Sequence, residues 1–283
     1  MAQTLGEMLA HAQVRIMQAL ALDASEARRD AQVLFGHALQ VSRAYLLAHG
    51  DDLLTPTALA RCEELLARRC AGEPVAYILG QKEFYGLGFQ VTPAVLIPRP
   101  ETELLVELAL ALVAVDQPRE LLDLGTGSAA IAIAIAKHRP LAHVTAVDCS
   151  AEALAIAQAN AAVSNVANIH FVQGDWFAAV GVMKFDIIVS NPPYVAAHDP
   201  HLRQGDVRFE PTSALVGGSD GLDCIRDIVA GAPAHLSPGG WLLLEHGYDQ
   251  ALACRELLQA QGFREVASHP DLSGTLRVTG GRL

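Results

Sequence analysis

The chain has 283 residues, 51% of them hydrophobic and 18% charged, enough apolar material for one full domain with a large core plus a smaller one, which excludes a disordered protein. Its formal net charge of −11 speaks against direct nucleic-acid binding, where Lys and Arg gather to displace counterions, and suits a basic partner better. Cys62, Cys70, Cys149, Cys224 and Cys254 form no CxxC pair, so free thiols and no structural metal are expected. No basic segment followed by an apolar run opens the chain and no apolar stretch is long enough to span a bilayer, so the expected setting is the cytoplasm, without membrane contact and as a monomer.

The first 73 residues read as helices. Thr4 with Glu7 three positions later forms a capping box, and Leu5, Met8, Leu9, Ala12, Ile16, Ala19 and Leu20 line one face of the helix that follows. A second helix fits Ser25 to Leu39 and a short one follows Ser42; a fourth begins at Thr55 with Pro56 in its first position and stops at Gly72. Seven Arg against eight Asp plus Glu in the first 70 residues leave this bundle without a basic face.

Between residues 74 and 98 the texture changes: Phe84, Tyr85, Phe89 and Val91 surround Gly86 and Gly88, the pattern of a β-hairpin linking two domains. After a helical stretch from Glu101 to Val115, short apolar runs alternate with helical patterns: Leu121 to Leu124, Val144 to Val147, Ile169 to Val172, Phe185 to Val189 and Trp241 to Leu244. Such alternation predicts a parallel sheet covered by helices on both faces. The last two strands, Phe263 to Ala267 and Thr275 to Val278, are too close in sequence for a parallel crossover, so one edge strand should run antiparallel. The expected fold is α/β: a doubly wound, mostly parallel seven-stranded sheet over residues 99–283, preceded by a small helical bundle (1–73) and a β-hairpin linker (74–98).

Leu121 to Ser128 reads Leu-Leu-Asp-Leu-Gly-Thr-Gly-Ser, placing Gly125 and Gly127 with Thr126 and Ser128 in the first strand-to-helix turn, where a missing side chain lets a ligand approach the backbone and a helix N-terminus. Alone, this is weak evidence, since the run also reads as a tight βα turn, and with Ala130 in third place it would pass for a dinucleotide site. Asp148, 23 residues after Gly125, ends the second strand, where a carboxylate can accept from both ribose hydroxyls; its alternative task is to cap the next helix. Asp175 and Trp176 follow the third strand, an acceptor beside a flat indole that suits an adenine, although Trp176 can equally be core. Asp123 either receives an ammonium group or caps its own turn.

Asn191-Pro-Pro-Tyr194 follows the fourth strand. Its prolines fix the backbone and remove donors, so the Pro192 carbonyl and the Asn191 side-chain oxygen can both accept from one NH₂ group. A planar amide or aniline-like nitrogen is a poor nucleophile because its lone pair is delocalised; holding both hydrogens aims that pair at an incoming methyl, and Tyr194 can cover the flat group. In-line orientation, worth up to roughly 7–11 kcal/mol in well-aligned systems, would supply most of the rate.

At these residues the sequence resembles the class I S-adenosylmethionine-dependent methyltransferases, and within them the release-factor glutamine methyltransferase family. The likeness spans nearly the whole chain: the helical N-terminal domain, Glu83-Phe-Tyr85, Ile97-Pro-Arg-Pro-Glu-Thr-Glu103, the glycine turn, Asp148, Gly174-Asp-Trp-Phe177, Asn191 to Tyr194 and Phe209-Glu-Pro211. Asn191 to Tyr194 also suits adenine-N6 and guanine-N2 methyltransferases; Ile97 to Glu103 coupled to the N-terminal domain is more specific. The resemblance implies a Rossmann-like methyltransferase fold, a helical domain that docks the substrate, and methylation of the Gly-Gly-Gln glutamine of class I peptide chain release factors on its side-chain nitrogen. It implies cofactor contacts by Gly125, Thr126, Gly127, Ser128, Ala129, Asp148, Trp176 and Asn191, with Asn191, Pro192, Pro193 and Tyr194 receiving the glutamine. The family usually has a third glycine where this chain has Ala129; a negative φ there would make the methyl harmless, a positive one would weaken cofactor binding.

Arg99 either closes over the site, pairs with a partner carbonyl or is a solvated linker residue. His198 and His201 sit beside Asp199 in a polar loop, a poor metal site; Gly217, Gly218 and Gly221 read as an ordinary turn within a long connection, Val195 to about Leu222, of the kind that forms lids or binding surfaces. A nucleic-acid amino-group methyltransferase, a nicotinamide-dependent oxidoreductase and a non-catalytic binding module are the competing functions. The first needs a basic groove, and the second leaves Asn191 to Tyr194 without a task.

Overall fold

The structure, a computed structural model, describes residues 3–283; Met1 and Ala2, part of the first predicted domain, lie outside the described residues. The chain forms two compact units, Met1–Gly80 with Arg203–Phe209, and Gln81–Leu202 with Glu210–Leu283.

The first unit holds α1 (Leu5–Leu20), α2 (Ala24–Leu39), α3 (Arg43–Ala48), α4 (Pro56–Cys70) and α5 (Val75–Leu79). Thr4 and Glu7 close the predicted capping box at 3.2 and 2.9 Å, and Asp23 with Glu26 forms a second one at the start of α2. Leu5, Met8, Ala12 and Ile16 pack against Ala31, Leu34 and Phe35, while Ala19, expected on the same stripe, is exposed. The short helix α5 lies where a hairpin linker was expected; Pro74 at its N-terminus supplies no side-chain cap, so nothing in the local sequence announces it. Arg69, only 4% exposed, donates to Asp30 and to Asp206, both at 2.7 Å, so the excursion Arg203–Phe209 is anchored by charge within this unit.

In the second unit β1 (Gln81–Phe84) and β2 (Leu87–Gln90) form the hairpin. Tyr85 and Gly86 turn it with φ of 51° and 73°, the primed geometry that matches strand twist. Then follow α6 (Glu103–Leu112), β3 (Glu120–Leu124), α7 (Ala130–His138), β4 (His143–Asp148), α8 (Ala151–Val163), β5 (Ile169–Gln173), β6 (Phe185–Ser190), α9 (Asp223–His235), β7 (Leu236–Glu245), α10 (Ala251–Ala260), β8 (Arg264–Pro270) and β9 (Leu276–Arg282). All seven predicted strands lie in one sheet of order β5-β4-β3-β6-β7-β9-β8. Strands β5 to β7 are parallel, whereas β9 is antiparallel to both β7 and β8. The reversed strand is therefore the penultimate one rather than the predicted edge, because the final hairpin folds back and inserts its second strand beside β7.

Alternation along β3 sends Leu121 into one apolar layer, with α6 and α7, and Leu122 and Leu124 into the other, with α9 and α10. Helix α7 is buried from Ala130 to Ala136, consistent with its unbroken Ala-Ile sequence. Successive strands lie on opposite sides of β3, so the sheet changes winding direction between β3 and β6, where crevices open at the carboxyl ends of strands. No helix among the described residues is long and apolar enough to cross a membrane.

Candidate active site

Register determines which residues meet at that switch point. Leu124 pairs with Val147 on one side and with Ser190 on the other, and Ser190 pairs with Leu244. The next residue of each strand, Gly125, Asp148, Asn191 and Glu245, therefore emerges at one level of the sheet. The Ser190 hydroxyl ties β6 to β3 by donating to the Leu124 carbonyl at 2.6 Å. A cavity of about 180 Å³ opens above this level, walled by Gly125, Thr126, Gly127, Ser128, Asp148, Asp175, Trp176, Asn191 and Pro193 among others.

The glycine turn needs its glycines. Gly125 and Gly127 have φ of 72° and 54°, left-handed backbone that a side chain would strain; the Trp176 indole lies at ordinary contact distance, 3.5 Å, from where a Gly125 Cβ would sit. Asp148 accepts from the Gly127 N–H at 2.8 Å with one carboxylate oxygen and from the Ser150 N–H at 2.9 Å with the other. Each oxygen keeps a lone pair. The helix-cap role weighed for Asp148 belongs to Ser150, whose hydroxyl accepts from Ala153. Trp176 itself has φ 43°, a left-handed backbone that turns its indole onto the cavity wall.

Two residues of the glycine run lie off that wall. Asp123 is fully buried, accepts the Thr126 hydroxyl at 2.6 Å and leaves its second oxygen without a partner; burial pushes its carboxyl up to about 7 against the lowering effect of that hydroxyl. This is the turn-capping role. Ala129 is also wholly buried, its φ is 63°, and its methyl packs in the core beside α7. Of the two outcomes weighed for this position, the backbone is the strained one, yet the methyl points away from the cavity.

The Asn191 side chain donates through Nδ2 to the Thr102 hydroxyl at 3.1 Å, which leaves Oδ1 as an acceptor. Pro193 lines the cavity, whereas Pro192 is buried behind it. Tyr194 also stands behind the wall, packing in the layer under α9 and α10 and donating its hydroxyl to Glu245 at 3.3 Å; the expected ring covering a ligand is not on this cavity. Burial and the neighbouring Glu245 hold its phenol well above the ordinary tyrosine range.

Gly217 and Gly221 buttress the quartet instead of making an idle turn. A Cβ at Gly217 would meet the Pro193 carbonyl oxygen at 2.3 Å, and one at Gly221 the Tyr194 carbonyl oxygen at 2.3 Å. Val195 donates to Leu215, and Gly217 donates back to Val195. Arg99, on the cavity wall, is paired with the buried Glu210, which also accepts from the Ile97 N–H; the segment Ile97 to Glu103 thus meets Glu210-Pro211. His201 pairs with Asp199 at the surface.

A mostly parallel doubly wound sheet with a glycine turn, a carboxylate at the end of the neighbouring strand and an Asn-Pro-Pro-Tyr turn around one crevice has the build of a class I methyltransferase. The described neighbours agree on fold: a Pyrococcus furiosus methyltransferase structure matches 78% of this chain and 98% of its own at a TM-score of 0.55 and 22% identity, and a Thermus thermophilus 16S rRNA N2 methyltransferase, solved with AdoMet and guanosine, matches 71% and 49% at 0.53 and 22%. The PrmC N-terminal domain family model matches residues 7–80 and the methyltransferase small domain model residues 101–206. Release factor glutamine methyltransferases of Xylella fastidiosa and Pseudomonas aeruginosa are each 52% identical, over 90% and 92% of this chain and 93% and 94% of their own length; that of Escherichia coli K12 is 46% identical over 92% and 94%. The chain belongs to the release factor glutamine methyltransferase family.

Glu245, Thr102, Gly217 and Gly221 are the site residues that sequence reasoning did not assign. The signal for Glu245 was a lone acid directly after the apolar run Trp241 to Leu244.

Proposed function

We propose that this enzyme transfers the methyl group of S-adenosylmethionine to N5 of the glutamine in the Gly-Gly-Gln motif of class I peptide chain release factors. The carrying observation is the shared level of Gly125, Asp148 and Asn191, with the Asn191 amide oriented by Thr102 so that an acceptor oxygen is left for an incoming NH₂. The cofactor supplies an electrophilic methyl on sulfur. The residues present fit it: left-handed glycines permit close backbone approach, Asp148 keeps lone pairs for two ribose hydroxyls, and the Trp176 indole offers a flat face beside Asp175.

In this reading Asn191 Oδ1 accepts one hydrogen of the glutamine NH₂ and the Pro192 carbonyl, on a residue otherwise packed behind the cavity wall, accepts the other once the glutamine enters past Pro193, so that its plane is fixed and its lone pair points along the transfer axis. Attack needs no prior deprotonation, because the nitrogen becomes strongly acidic only once it carries the methyl. The rigid Pro-Pro backbone keeps the two acceptors from relaxing toward the ground state. The helical unit docks the release factor; Val14, Val33, Leu47 and Leu53 are large apolar side chains it leaves exposed. The reaction belongs to the cytoplasm.

The test incubates the protein with labelled S-adenosylmethionine and, separately, a release factor, the same factor with its motif glutamine replaced by alanine, and RNA or DNA. Mass spectrometry should place the methyl on the glutamine side chain of the intact factor alone. Label in the nucleic acid, or in the glutamine-free factor, overturns the assignment.

A further inference from the structure

Gln250 stands at the N-cap of α10 and is buried, yet its side chain makes no cap for that helix. Glutamine is not among the residues that cap well, and here the side chain turns away from the helix. Its Oε1 accepts from the Gly247 N–H at 2.8 Å, while Nε2 donates to the Tyr194 carbonyl at 3.0 Å and to the Gly221 carbonyl at 3.3 Å. A side-chain amide carries two hydrogens on nitrogen and an acceptor on oxygen, so each hydrogen has its own carbonyl and the partners themselves fix which way round the amide sits. Two glycines leave it room: a Cβ at Gly221 would stand 2.8 Å from Nε2, and one at Gly247 3.0 Å from Oε1. A residue that forgoes its local task, in surroundings shaped to let it reach elsewhere, has its purpose at the far end.

That end is the Pro-Pro turn. Tyr194 closes the quartet, and Gly221 lies near the finish of the long connection that starts at Val195, so one amide ties both ends of that connection together. Glu245 takes the Tyr194 hydroxyl at 3.3 Å, which holds the residue by its ring as well as its backbone. Val195 is paired in turn, donating to Leu215 and accepting from Gly217. The other end of the quartet is fixed by β6, where Ser190 pairs with Leu124 and Leu244 and its hydroxyl donates to the Leu124 carbonyl. Between the two anchors lie Pro192 and Pro193, whose rings lock φ. With both ends held and the middle stiff, the direction of the Pro192 carbonyl is set; without Gln250, the Tyr194 peptide loses its donor and can rotate.

We propose that Gln250 is a positioning residue for methyl transfer, a clasp that joins Tyr194 to Gly221 and thereby holds the Pro192 carbonyl in the direction that receives the acceptor nitrogen. The proposal rests on the assignment of the Pro192 carbonyl as acceptor of one NH₂ hydrogen, and its test has one arm that needs no substrate.

That arm follows hydrogen exchange of backbone N–H groups by NMR in the full-length protein. Gln250→Met should speed exchange severalfold at Val195 and Gly217 while leaving the Gly127 N–H, held by Asp148, as in wild type. Unchanged exchange at Val195 and Gly217 overturns the clasp, whatever the enzyme methylates. The second arm measures steady-state methylation of a release factor. Gln250→Met should lower kcat about 10- to 100-fold with cofactor Kd within about twofold. Gln250→Asn separates positioning from stability: asparagine is a favoured cap, so α10 and Tm are supported, but its amide is one methylene too short for the two carbonyls. It should lose kcat about as Gln250→Met does, and a full rate in Gln250→Asn overturns the positioning role. Leu258→Ala, which opens a cavity behind the same helix, should lower Tm with kcat within about threefold; a loss in Gln250→Met no larger than in Leu258→Ala overturns the role as well. Should Gln250→Met fail to fold, Gln250→Asn serves in both arms. Wild-type enzyme that methylates no release factor removes the substrate assignment and leaves the exchange arm to judge Gln250.

Discussion

The turn after β3 and the turn after β6 face each other across one crevice and reach their positions by opposite means. Gly125 and Gly127 hold left-handed backbone that other residues avoid, so the first turn brings its amides close to a ligand. Asn191 to Tyr194 has two prolines, and is held from outside by Gly217 and Gly221 and from beneath by Glu245. The first turn is open because side chains are missing; the second is stiff because donors are missing and neighbours press on it. Recognition of a cofactor tolerates a compliant backbone with many amides, whereas aiming one lone pair needs few acceptors that do not move.

Substitutions on the two sides should separate accordingly. The largest effect is expected for Asn191→Ala: turnover falls on the order of a thousandfold, about 4 kcal/mol, with cofactor Kd changed far less, as single-turnover kinetics and a binding titration would resolve; equal losses in both would erase the division. Beneath the first turn, Asp123 titrates. Its carboxyl lies near 7 when folded against 3.8 unfolded, so the folded state keeps a proton that the unfolded state has released between those values. Stability of the cofactor-free enzyme should therefore be greatest below pH 4 as far as this group is concerned and decline up to pH about 7, by up to roughly 4 kcal/mol. Urea midpoints across that window should fall less steeply for Asp123→Asn.

Gly221→Ala places a methyl 2.3 Å from the Tyr194 oxygen at φ 78° and should cost roughly 2–3 kcal/mol of stability and a larger share of kcat than of cofactor binding; thermal melts and kinetics on one preparation test both. Asp148→Ala should raise cofactor Kd about 10- to 100-fold while kcat at saturation stays within a few-fold, and a titration showing unaltered Kd removes it from the ribose role. The smallest change is expected for Ala129→Gly. Relief of left-handed strain, about 1 kcal/mol, is offset by the loss of a buried methyl, about 0.8 kcal/mol, so melting temperature and cofactor Kd should both stay nearly constant.

The readable parts of this site were those written as local deviations from ordinary sequence. Thr4 with Glu7, Gly125 with Gly127 and Asn191 to Tyr194 announce themselves because capping, left-handed turns and doubled prolines each demand particular residues nearby. Strand existence was equally plain from the apolar runs. Glu245 was not, since Tyr194, whose hydroxyl donates to it, is 51 positions away and only sheet register brings the ends of β6 and β7 level. The same holds for Gly217 and Gly221, whose need for a missing side chain is set by carbonyls of the Pro-Pro turn, and for β9, because a hairpin can join a sheet through either of its strands. Helix α5 escaped for the opposite reason: it is too short to show a period.

The excursion Arg203–Phe209 has a consequence for dissecting the molecule. Because these seven residues lie in the loop that follows the Pro-Pro turn yet belong to the helical unit, where Asp206 completes the pair of carboxylates around Arg69, the chain passes between the units three times. Cutting at residue 80 does not yield two whole pieces. The amino-terminal fragment would carry a buried arginine stripped of half its counter-charge, and the carboxy-terminal fragment would carry an orphaned stretch within its longest connection. Modular swapping of the helical half between relatives would have to take Arg203–Phe209 along with it.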